Sequence, residues 1–345
     1  MLDSRWREPQ QTRLGGEGFL SVDTGDKAGP IIDRLPFMGM AVQRKILALG
    51  CLIKTSAGIF DGWRFVQNTS RTVHRRVLGH GYWYPITKSP FMQINEALKE
   101  LGVSSDLLTA EEKHQLDTRG YLPISGVLSK EEADQFRRRL DLLVELEGVD
   151  AGKEVHQEAG TARLANLVDK AAAFRVTFTT PKVLAAVAHV LDGDMKLSSL
   201  NSRTALPGQG LQGLHADWGE PVKEGNYQGC NTIWMLDDFT PDNGATRVVD
   251  GTHRSPILPR EAMDGDTNKD HPEQKLLNGP KGTVVVFNAH TWHGGTLNRT
   301  DKPRHAMHCF YCRRNRAQQT DQRKFLSLAT IESFSPAIRC LLDVE

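Results

Sequence analysis

The sequence predicts a mainly β fold with flanking helices, in which the strands form a sandwich, a barrel or a jelly roll. From about residue 195 the chain consists of short β-rich runs separated by Gly, Asn, Asp and Pro. Before that point it contains three stretches with helical start and stop signals. Many short strands with turns between them are typical of these architectures, and we expect the preceding helices to pack on one outer face.

The chain of 345 residues divides into an N-terminal extension, 1–105, and a domain formed by 106–345. Residues 1–35 are polar and Gly-rich without periodicity, which is typical of a poorly ordered arm. Three roles stay open for the extension: a lid, a homodimerisation arm and a substrate-selecting segment.

The composition argues against membrane and nucleic-acid partners. Residues 37–60 are apolar, but Arg44, Lys45 and Lys54 interrupt them well short of the roughly 20 apolar residues that a span requires, so a packed or amphipathic helix is favoured. A formal net charge of +1 gives no overall attraction to nucleic acid. The charged N-terminus lacks the apolar run of a secretory signal, and we therefore expect a cytoplasmic protein with a small-molecule substrate.

The three helices are predicted from capping signals. Residues 109–112 and 129–132 are both typical of capping boxes, and Thr180-Pro181 supplies an N-cap followed by proline at the first helical position. The expected helix ends are Gly120, Gly148 and Asp192-Gly193. The apolar run 121–127 between the first two helices predicts a strand.

Six β-rich runs follow the third helix. They are MKLSSLNSRTAL (195–206), GLHADW (213–218), CNTIWMLDDF (230–239), ATRVVDG (245–251), GTVVVFNAHTW (282–292) and HAMHCFYC (305–312).

The five cysteines are an odd number spread over a long chain, which is not the pattern of a disulfide framework, so reduced thiols are expected. Cys309 and Cys312 form a CxxC, but no second CxxC is present to complete a zinc site. The surrounding apolar strand favours a structural role.

The sharpest local feature is His215-Ala-Asp217. On a strand, residues i and i+2 project from the same face, so this imidazole and carboxylate can meet one metal ion. The spacing alone is a weak signal in a chain with 12 histidines, because His156-Gln-Glu158 and His271-Pro-Glu273 share it. Those two occur in a polar stretch and in a charged, Pro-containing loop, which are poor contexts for a metal site.

A third ligand candidate, His293, follows the apolar run 282–287 and precedes Gly294-Gly295. Two histidines and one carboxylate leave coordination positions open, as in non-haem Fe(II) oxygenases. Arg304 follows, and a planar guanidinium grips a carboxylate in bidentate fashion, so it can anchor the far carboxylate of 2-oxoglutarate. His290 is a rival for His293, but the Gly-Gly pair and the distance to Arg304 favour His293.

Together these motifs resemble the phytanoyl-CoA dioxygenase family. The resemblance rests on His215-x-Asp217, on the turn 243–253, and on Trp292-His-Gly-Gly-Thr-Leu-Asn298 with Pro303-Arg304, and it covers about 108 to the C-terminus. It implies a double-stranded β-helix (jelly-roll, cupin-like) core that uses Fe(II), 2-oxoglutarate and O2. It also implies release of succinate and CO2 coupled to oxidation of the substrate.

The resemblance implies that His215, Asp217 and His293, which match the family's motifs, are iron ligands and that Arg304 anchors the cosubstrate. His253 fits a turn of the family pattern, and we interpret it as structural.

Three further residues are candidates for the cosubstrate pocket. Gln212 and Trp234 match positions that line this pocket in similar proteins, and Thr232 alternates onto the same face as Trp234. Core packing explains each of them equally well.

The resemblance favours hydroxylation of a small organic molecule, such as a biosynthetic intermediate or an acyl-type substrate. Related halogenases lack the carboxylate that Asp217 supplies. Two other classes stay open: a non-catalytic jelly-roll binding protein, and a cupin-type isomerase or hydrolase that uses zinc or manganese. Dependence of turnover on 2-oxoglutarate distinguishes the three.

Overall fold

A computed structural model describes residues 92–155 and 157–345. The predicted arm, the apolar segment 37–60 and His156 lie outside the described residues. The described α-helices are α1 (Ile94–Glu100), α2 (Ala110–Arg119), α3 (Lys130–Glu147), α4 (Leu167–Lys170), α5 (Val176–Thr179), α6 (Pro181–Leu191), α7 (Pro259–Ala262), α8 (Gln322–Phe325), α9 (Leu328–Glu332) and α10 (Pro336–Leu342).

The three predicted helices are confirmed as α2, α3 and α6, and their ends follow from local chemistry. The hydroxyls of Thr109 and Ser129 accept from backbone N–H groups three residues on, and the reciprocal glutamate contacts complete both capping boxes. Gly120 ends α2 in the left-handed conformation at φ 85°. Helix α6 starts with Pro181 and ends at Leu191, and the C-cap residue Asp192 is also left-handed.

The strands of the described residues are β1 (Tyr121–Ile124), β2 (Thr161–Leu164), β3 (Lys196–Ala205), β4 (Gly229–Met235), β5 (Thr246–Val249), β6 (Gln274–Leu276), β7 (Val284–Asn288), β8 (His293–Gly295) and β9 (Arg304–Cys312). They form a six-stranded antiparallel sheet in the order β1-β7-β4-β9-β3-β2 and a three-stranded antiparallel sheet in the order β6-β5-β8.

Five of the six predicted runs form strands of these sheets, as does the run that follows α2. The exception is 213–218, which makes only an isolated bridge between His215 and His293. Strands β2, β6 and β8 were not predicted, because runs of three or four residues give no periodic signal.

Each face of the larger sheet carries its own hydrophobic core. On one face, Trp234, Val286 and Met307 pack with residues of the helices, among them Phe136 of α3 and Leu184 of α6. On the other face, side chains of β4, β7 and β9 meet those of the smaller sheet; these are Ile233, Met235, Val248, Val285, Phe287 and Ala306. Alternate residues of one strand therefore belong to different cores.

Cys230, Cys309, Cys312 and Cys340 are buried free thiols, so the prediction of reduced cysteines is confirmed for them, while Cys51 lies outside the described residues. None of the described helices has the length and apolar character needed to span a membrane.

Candidate metal centre and cavity

Backbone pairing brings the two predicted histidine ligands together. His215 and His293 exchange both N–H···O=C hydrogen bonds at 2.9 Å, so their side chains stand on the same side of the bridge, with ring centroids 4.3 Å apart. Asp217 follows two residues after His215. The potential ligand atoms of all three residues lie within 4.8 Å of one another. The structure thus assembles the predicted triad, although 213–218 is not a full strand.

Main-chain carbonyls orient both imidazoles. The Nδ1–H of His215 donates to Gly213 O, and the Nδ1–H of His293 donates to Thr291 O, each at 3.0 Å. In the neutral rings the Nε2 atoms therefore carry the free lone pairs, and they lie 3.5 and 3.6 Å from Asp217 Oδ1. This is the tautomer that binds a metal through Nε2.

The carboxylate of Asp217 is held by Asn231 and by the two imidazoles. Asn231 Nδ2 donates to Asp217 Oδ2 at 2.8 Å. Burial alone would raise the pKa of Asp217, but the neighbouring His293, His215 and Asn231 lower it, so the group is anionic. Burial lowers the pKa of His293 to about 4, whereas Asp217 outweighs burial at His215 and raises its pKa.

The glycines after His293 are required by close packing. A Cβ at Gly294 would lie 2.7 Å from Gln212 O, and one at Gly295 would lie 3.0 Å from the guanidinium of Arg203. The His-Gly-Gly sequence therefore lets β8 lie directly against the segment that carries His215.

A cavity of about 310 Å³ opens beside the triad, between the two sheets. Its lining residues are Arg163, Ser199, Asn201, Arg203, Gln212, His215, Ala216, Asp217, Asn231, Ile233, Thr246, His293, Gly295, Arg304, His308, Phe310 and Gln319. Gln212 lines it as predicted, and its Oε1 accepts from Gly295 N at 3.3 Å.

Arg304 lies at the wall of this cavity with its charge uncompensated by a direct partner. It is 2% exposed, one terminal nitrogen donates to Gly244 O at 2.5 Å, and its guanidinium carbon lies 4.3 Å from the Phe239 ring centroid. Its Nε has no hydrogen-bond partner, and no described carboxylate lies within ion-pair distance. Burial and the nearby Arg203 lower the pKa of Arg304 to about 9. Such a site favours an anionic ligand.

The prediction that Thr232 and Trp234 line the pocket is wrong. Both lie on the opposite face of β4, where Trp234 packs in the helix-covered core and its Nε1–H donates to Thr232 Oγ1 at 3.0 Å. The cavity-facing residues of β4 are instead Asn231 and Ile233.

The rival histidines lie outside the triad. His290 Nε2 accepts from Gln228 N at 3.2 Å, and His253 donates to Asp117 O at 3.1 Å. His253 packs against Gly120, where a Cβ would lie 2.5 Å from its ring, in agreement with a structural role. His271 Nδ1 accepts from Glu273 N in its loop. Among the described residues, His215, Asp217 and His293 form the metal-competent group.

Several cavity residues were missed from the sequence. Ser199, Asn201 and Arg203 alternate along β3, and His308 and Phe310 alternate along β9. The sequence carries no clear signal for them, because Ser198, Ser202 and Thr204 make the other face of β3 polar as well, and the cavity-facing positions of β9 include apolar residues.

The chain is similar to known proteins over the segment that contains this site. The family model Phytanoyl-CoA dioxygenase (PhyH) matches residues 116–306. Dioxygenase sphC of Aspergillus fumigatus (strain CBS 144.89) is 27% identical over 201 residues, which cover 52% of this chain and 54% of that protein. Dioxygenase af480 of A. fumigatus (strain Af293) is 24% identical over 244 residues, which cover 67% of this chain and 75% of that protein. The aligned segment thus spans about half the length of sphC.

Solved structures show a similar fold. HygX from Streptomyces hygroscopicus, crystallised with nickel and 2-oxoglutarate, superposes with a TM-score of 0.51 at 22% sequence identity. The alignment covers 61% of this chain and 89% of HygX.

Proposed function

Since this chain belongs to the phytanoyl-CoA dioxygenase family, we propose that it is an Fe(II)- and 2-oxoglutarate-dependent dioxygenase that hydroxylates a small organic molecule. Members of this family depend on Fe(II) and 2-oxoglutarate. The observation that carries the proposal is the combination of the His215, Asp217 and His293 group with a buried arginine in the same cavity.

The triad fits Fe(II). Two neutral imidazoles and one carboxylate are the donor set of non-haem iron oxygenases, and they leave room for a bidentate cosubstrate and for O2. When bound, the iron supplies O2 activation driven by oxidative decarboxylation of 2-oxoglutarate to succinate and CO2. The protein contributes orientation, because Gly213 O and Thr291 O fix the two rings and Asn231 fixes the carboxylate.

Arg304 fits the distal carboxylate of 2-oxoglutarate. Its buried Nε lacks a partner, and a carboxylate satisfies a guanidinium better than any neutral group. A bound anion offsets the cost of burying the Arg304 guanidinium. A dicarboxylate can place one carboxylate there and still bind the metal with its other end, so it is favoured over a monocarboxylate. Gln212, Thr246 and Gly295 line the same part of the cavity.

We assign the two sheets to a double-stranded β-helix. The antiparallel pairing of β4 with both β7 and β9, and of β5 with β8, supports a jelly roll whose open mouth holds the triad. The presence of Asp217 favours hydroxylation over halogenation, since a carboxylate occupies the position that a halide needs.

The test is an anaerobic titration of Fe(II) and 2-oxoglutarate into the apo protein, in which the visible charge-transfer band of the chelated keto acid is measured. We expect a band in the unaltered protein, loss of the band in His293→Ala, and retention in the control His290→Ala. Arg304→Gln should need at least about tenfold more 2-oxoglutarate, because it removes a charge-assisted hydrogen bond.

Absence of the band from unaltered protein that holds iron would contradict the proposal. It would favour a cupin-type isomerase or hydrolase, or a non-catalytic binding protein.

A further inference from the structure

The cavity has a second polar part that the metal and the cosubstrate do not account for. It lies along β3 and β9, whereas Arg304, Gln212, Thr246 and Gly295 form the part assigned to 2-oxoglutarate. Its residues are Ser199, Asn201, His308, Phe310 and Gln319. The exposed Gln319 marks the side that opens to solvent.

Two atoms of this part are buried without hydrogen-bond partners: Asn201 Oδ1 and His308 Nε2. Their neighbours are satisfied, since Ser199 Oγ and Asn201 Nδ2 both donate to Gln319 Oε1, at 2.5 and 3.3 Å. These bonds fix the amide of Asn201 so that its oxygen is left for another donor. Buried polar groups are almost always paired in folded proteins, so this pair indicates a ligand group that completes it.

Asn201 and His308 can contact the same ligand group. They are directly opposite each other in the antiparallel β3–β9 pair, and both side chains line the cavity. Opposite residues on one face have Cβ atoms about 4.5–5.5 Å apart. One small group placed between them can therefore satisfy both.

The electrostatics favour an uncharged group. Burial, with Arg163 and Arg203 nearby, lowers the pKa of His308 to about 3, so this imidazole is neutral at physiological pH. A neutral imidazole nitrogen and an amide oxygen offer no counter-charge to a cation, and the amide oxygen repels a carboxylate.

We infer that Asn201 and His308 form the subsite that selects the substrate, and that the substrate presents to it a neutral group that both donates and accepts a hydrogen bond, a hydroxyl or a primary amide. The O–H or N–H of this group donates to Asn201 Oδ1, and its oxygen accepts from His308 Nε2–H. The inference rests on the proposed function, because it places the group beside the metal. A purely apolar acyl chain would leave both atoms unpaired and is disfavoured.

The experiment uses the full chain loaded with Mn(II) and 2-oxoglutarate, and three probes of equal ring size: benzyl alcohol, benzamide and toluene. The paramagnetic ion relaxes the protons of a probe only when the probe binds close to the metal. We expect benzyl alcohol and benzamide to bind at least about tenfold more tightly than toluene, because toluene cannot satisfy either atom.

Variants test which residues carry the preference. Asn201→Leu and His308→Leu should reduce it to within about twofold, while His308→Gln, which retains a donor and an acceptor, should keep part of it. Met307→Leu is the matched control, since Met307 lies on the same strand but packs in the helix-covered core.

Equal binding of all three probes, failure of every probe to approach the metal, or a preference that survives both leucine variants would overturn the inference. The Fe(II)–2-oxoglutarate band is measured on each protein and reports its fold and its cosubstrate site. A band without a probe preference contradicts only the subsite. A preference without a band contradicts the proposed function but supports the subsite.

Discussion

The two imidazoles of the triad are oriented by main-chain carbonyls, whereas the carboxylate is oriented by a side chain. Gly213 O and Thr291 O survive any side-chain substitution, but the bond from Asn231 Nδ2 to Asp217 Oδ2 does not. Asn231 is therefore the contact of the candidate metal centre that a side-chain substitution can remove, although the same amide also accepts from Thr232 N at 2.8 Å.

We predict that Asn231→Ala weakens metal binding about tenfold or more, because loss of a contact that orients a metal ligand costs about 10–100-fold in affinity. Anaerobic titration of Mn(II) or Fe(II) measures it. Cys230→Ala is the control, since Cys230 precedes Asn231 in β4 but its side chain packs in the helix-covered core. Equal affinities of the two variants would contradict the orienting role of Asn231.

Glu158 lies between two arginines near the cavity. It accepts from Arg203 at 2.6 and 3.0 Å and from Arg163 at 3.0 Å. Burial alone would raise the pKa of Glu158, but the guanidiniums of Arg203 and Arg163 hold it below its usual value. A carboxyl whose pKa is lowered by folding stabilises the protein above its unfolded pKa, and this stabilisation is lost as the pH falls through the folded value.

Glu158→Gln should therefore lower the free energy of unfolding by about 2–4 kcal/mol at pH 7, because it leaves buried arginine charge without its partner. The difference from the unaltered protein should shrink as the pH falls below about 4.3. Urea unfolding between pH 7 and pH 3 measures both effects. Glu145→Gln, at an exposed position of α3, is the control and should change little. A difference that is independent of pH would contradict the ionic origin.

The sequence predicted the triad and Arg304 because each belongs to a local motif, but it could not decide which face of β4 meets the cavity. All seven residues of β4 are buried, and polar and apolar residues occur on both of its faces. Neither burial nor polarity therefore distinguishes the two faces. Trp234 was placed on the wrong face for this reason, and Asn231 was overlooked. Asn201 and His308 become neighbours only through the pairing of β3 with β9, which no local pattern encodes.

At the scale of elements, the start of α3 is fixed to the larger sheet through a glycine. Gly282, before β7, has a φ of +87°, and its carbonyl accepts from Leu128 N at 3.1 Å. A Cβ at this position would collide with the Leu128 carbonyl oxygen. The left-handed backbone and the close approach together require glycine here.

Gly265 supplies a matched comparison, because its φ is also +87° but nothing lies within 4 Å of a Cβ built there. Gly265→Ala should cost about 1–2 kcal/mol of stability, the usual cost of a left-handed non-glycine residue. Gly282→Ala should cost about 1–3 kcal/mol more, because the backbone must also shift. Thermal or urea unfolding of the two variants measures the difference. Equal losses would show that the approach of Leu128 is relieved without cost.

The helices were predictable because capping boxes and left-handed stops are local signals. The partners of the strands were not, since β1 pairs with β7 and β4 pairs with β9 across long stretches of chain. Strand β8 is three residues long and is defined by its contacts with β5 and with His215, so its sequence alone carries no strand signal.

At the scale of the whole molecule, the larger sheet separates two functions. Its helix-covered face is hydrophobic and supplies most of the core, while its other face contributes Arg304, Asn201 and His308 to the cavity. Substitutions on the first face should act on stability and those on the second should act on ligand binding. The strands that line the cavity therefore pack with their other face against the helices.

Helix α1 precedes residue 106 in the chain but packs against the domain that follows it. Ala97 of α1 is fully buried against Ala337 and Cys340 of α10, and Leu98 packs in the main core. The Cys340 thiol also donates to Met92 O at 3.0 Å. These contacts tie α1 to the C-terminal helix, so a domain that starts at residue 106 lacks a part of its packing.

We therefore predict that a chain truncated to start at 106 is less stable than one truncated to start at 92, by at least about 3 kcal/mol, because Ile94, Leu98 and Leu101 no longer cover the core. Urea unfolding measures the free-energy difference, and the Fe(II)–2-oxoglutarate band shows whether the metal centre forms in each chain. The band should persist in the longer chain, since no described residue before 163 lines the cavity. Equal stability of the two chains would place α1 outside the unit and support a boundary near 105.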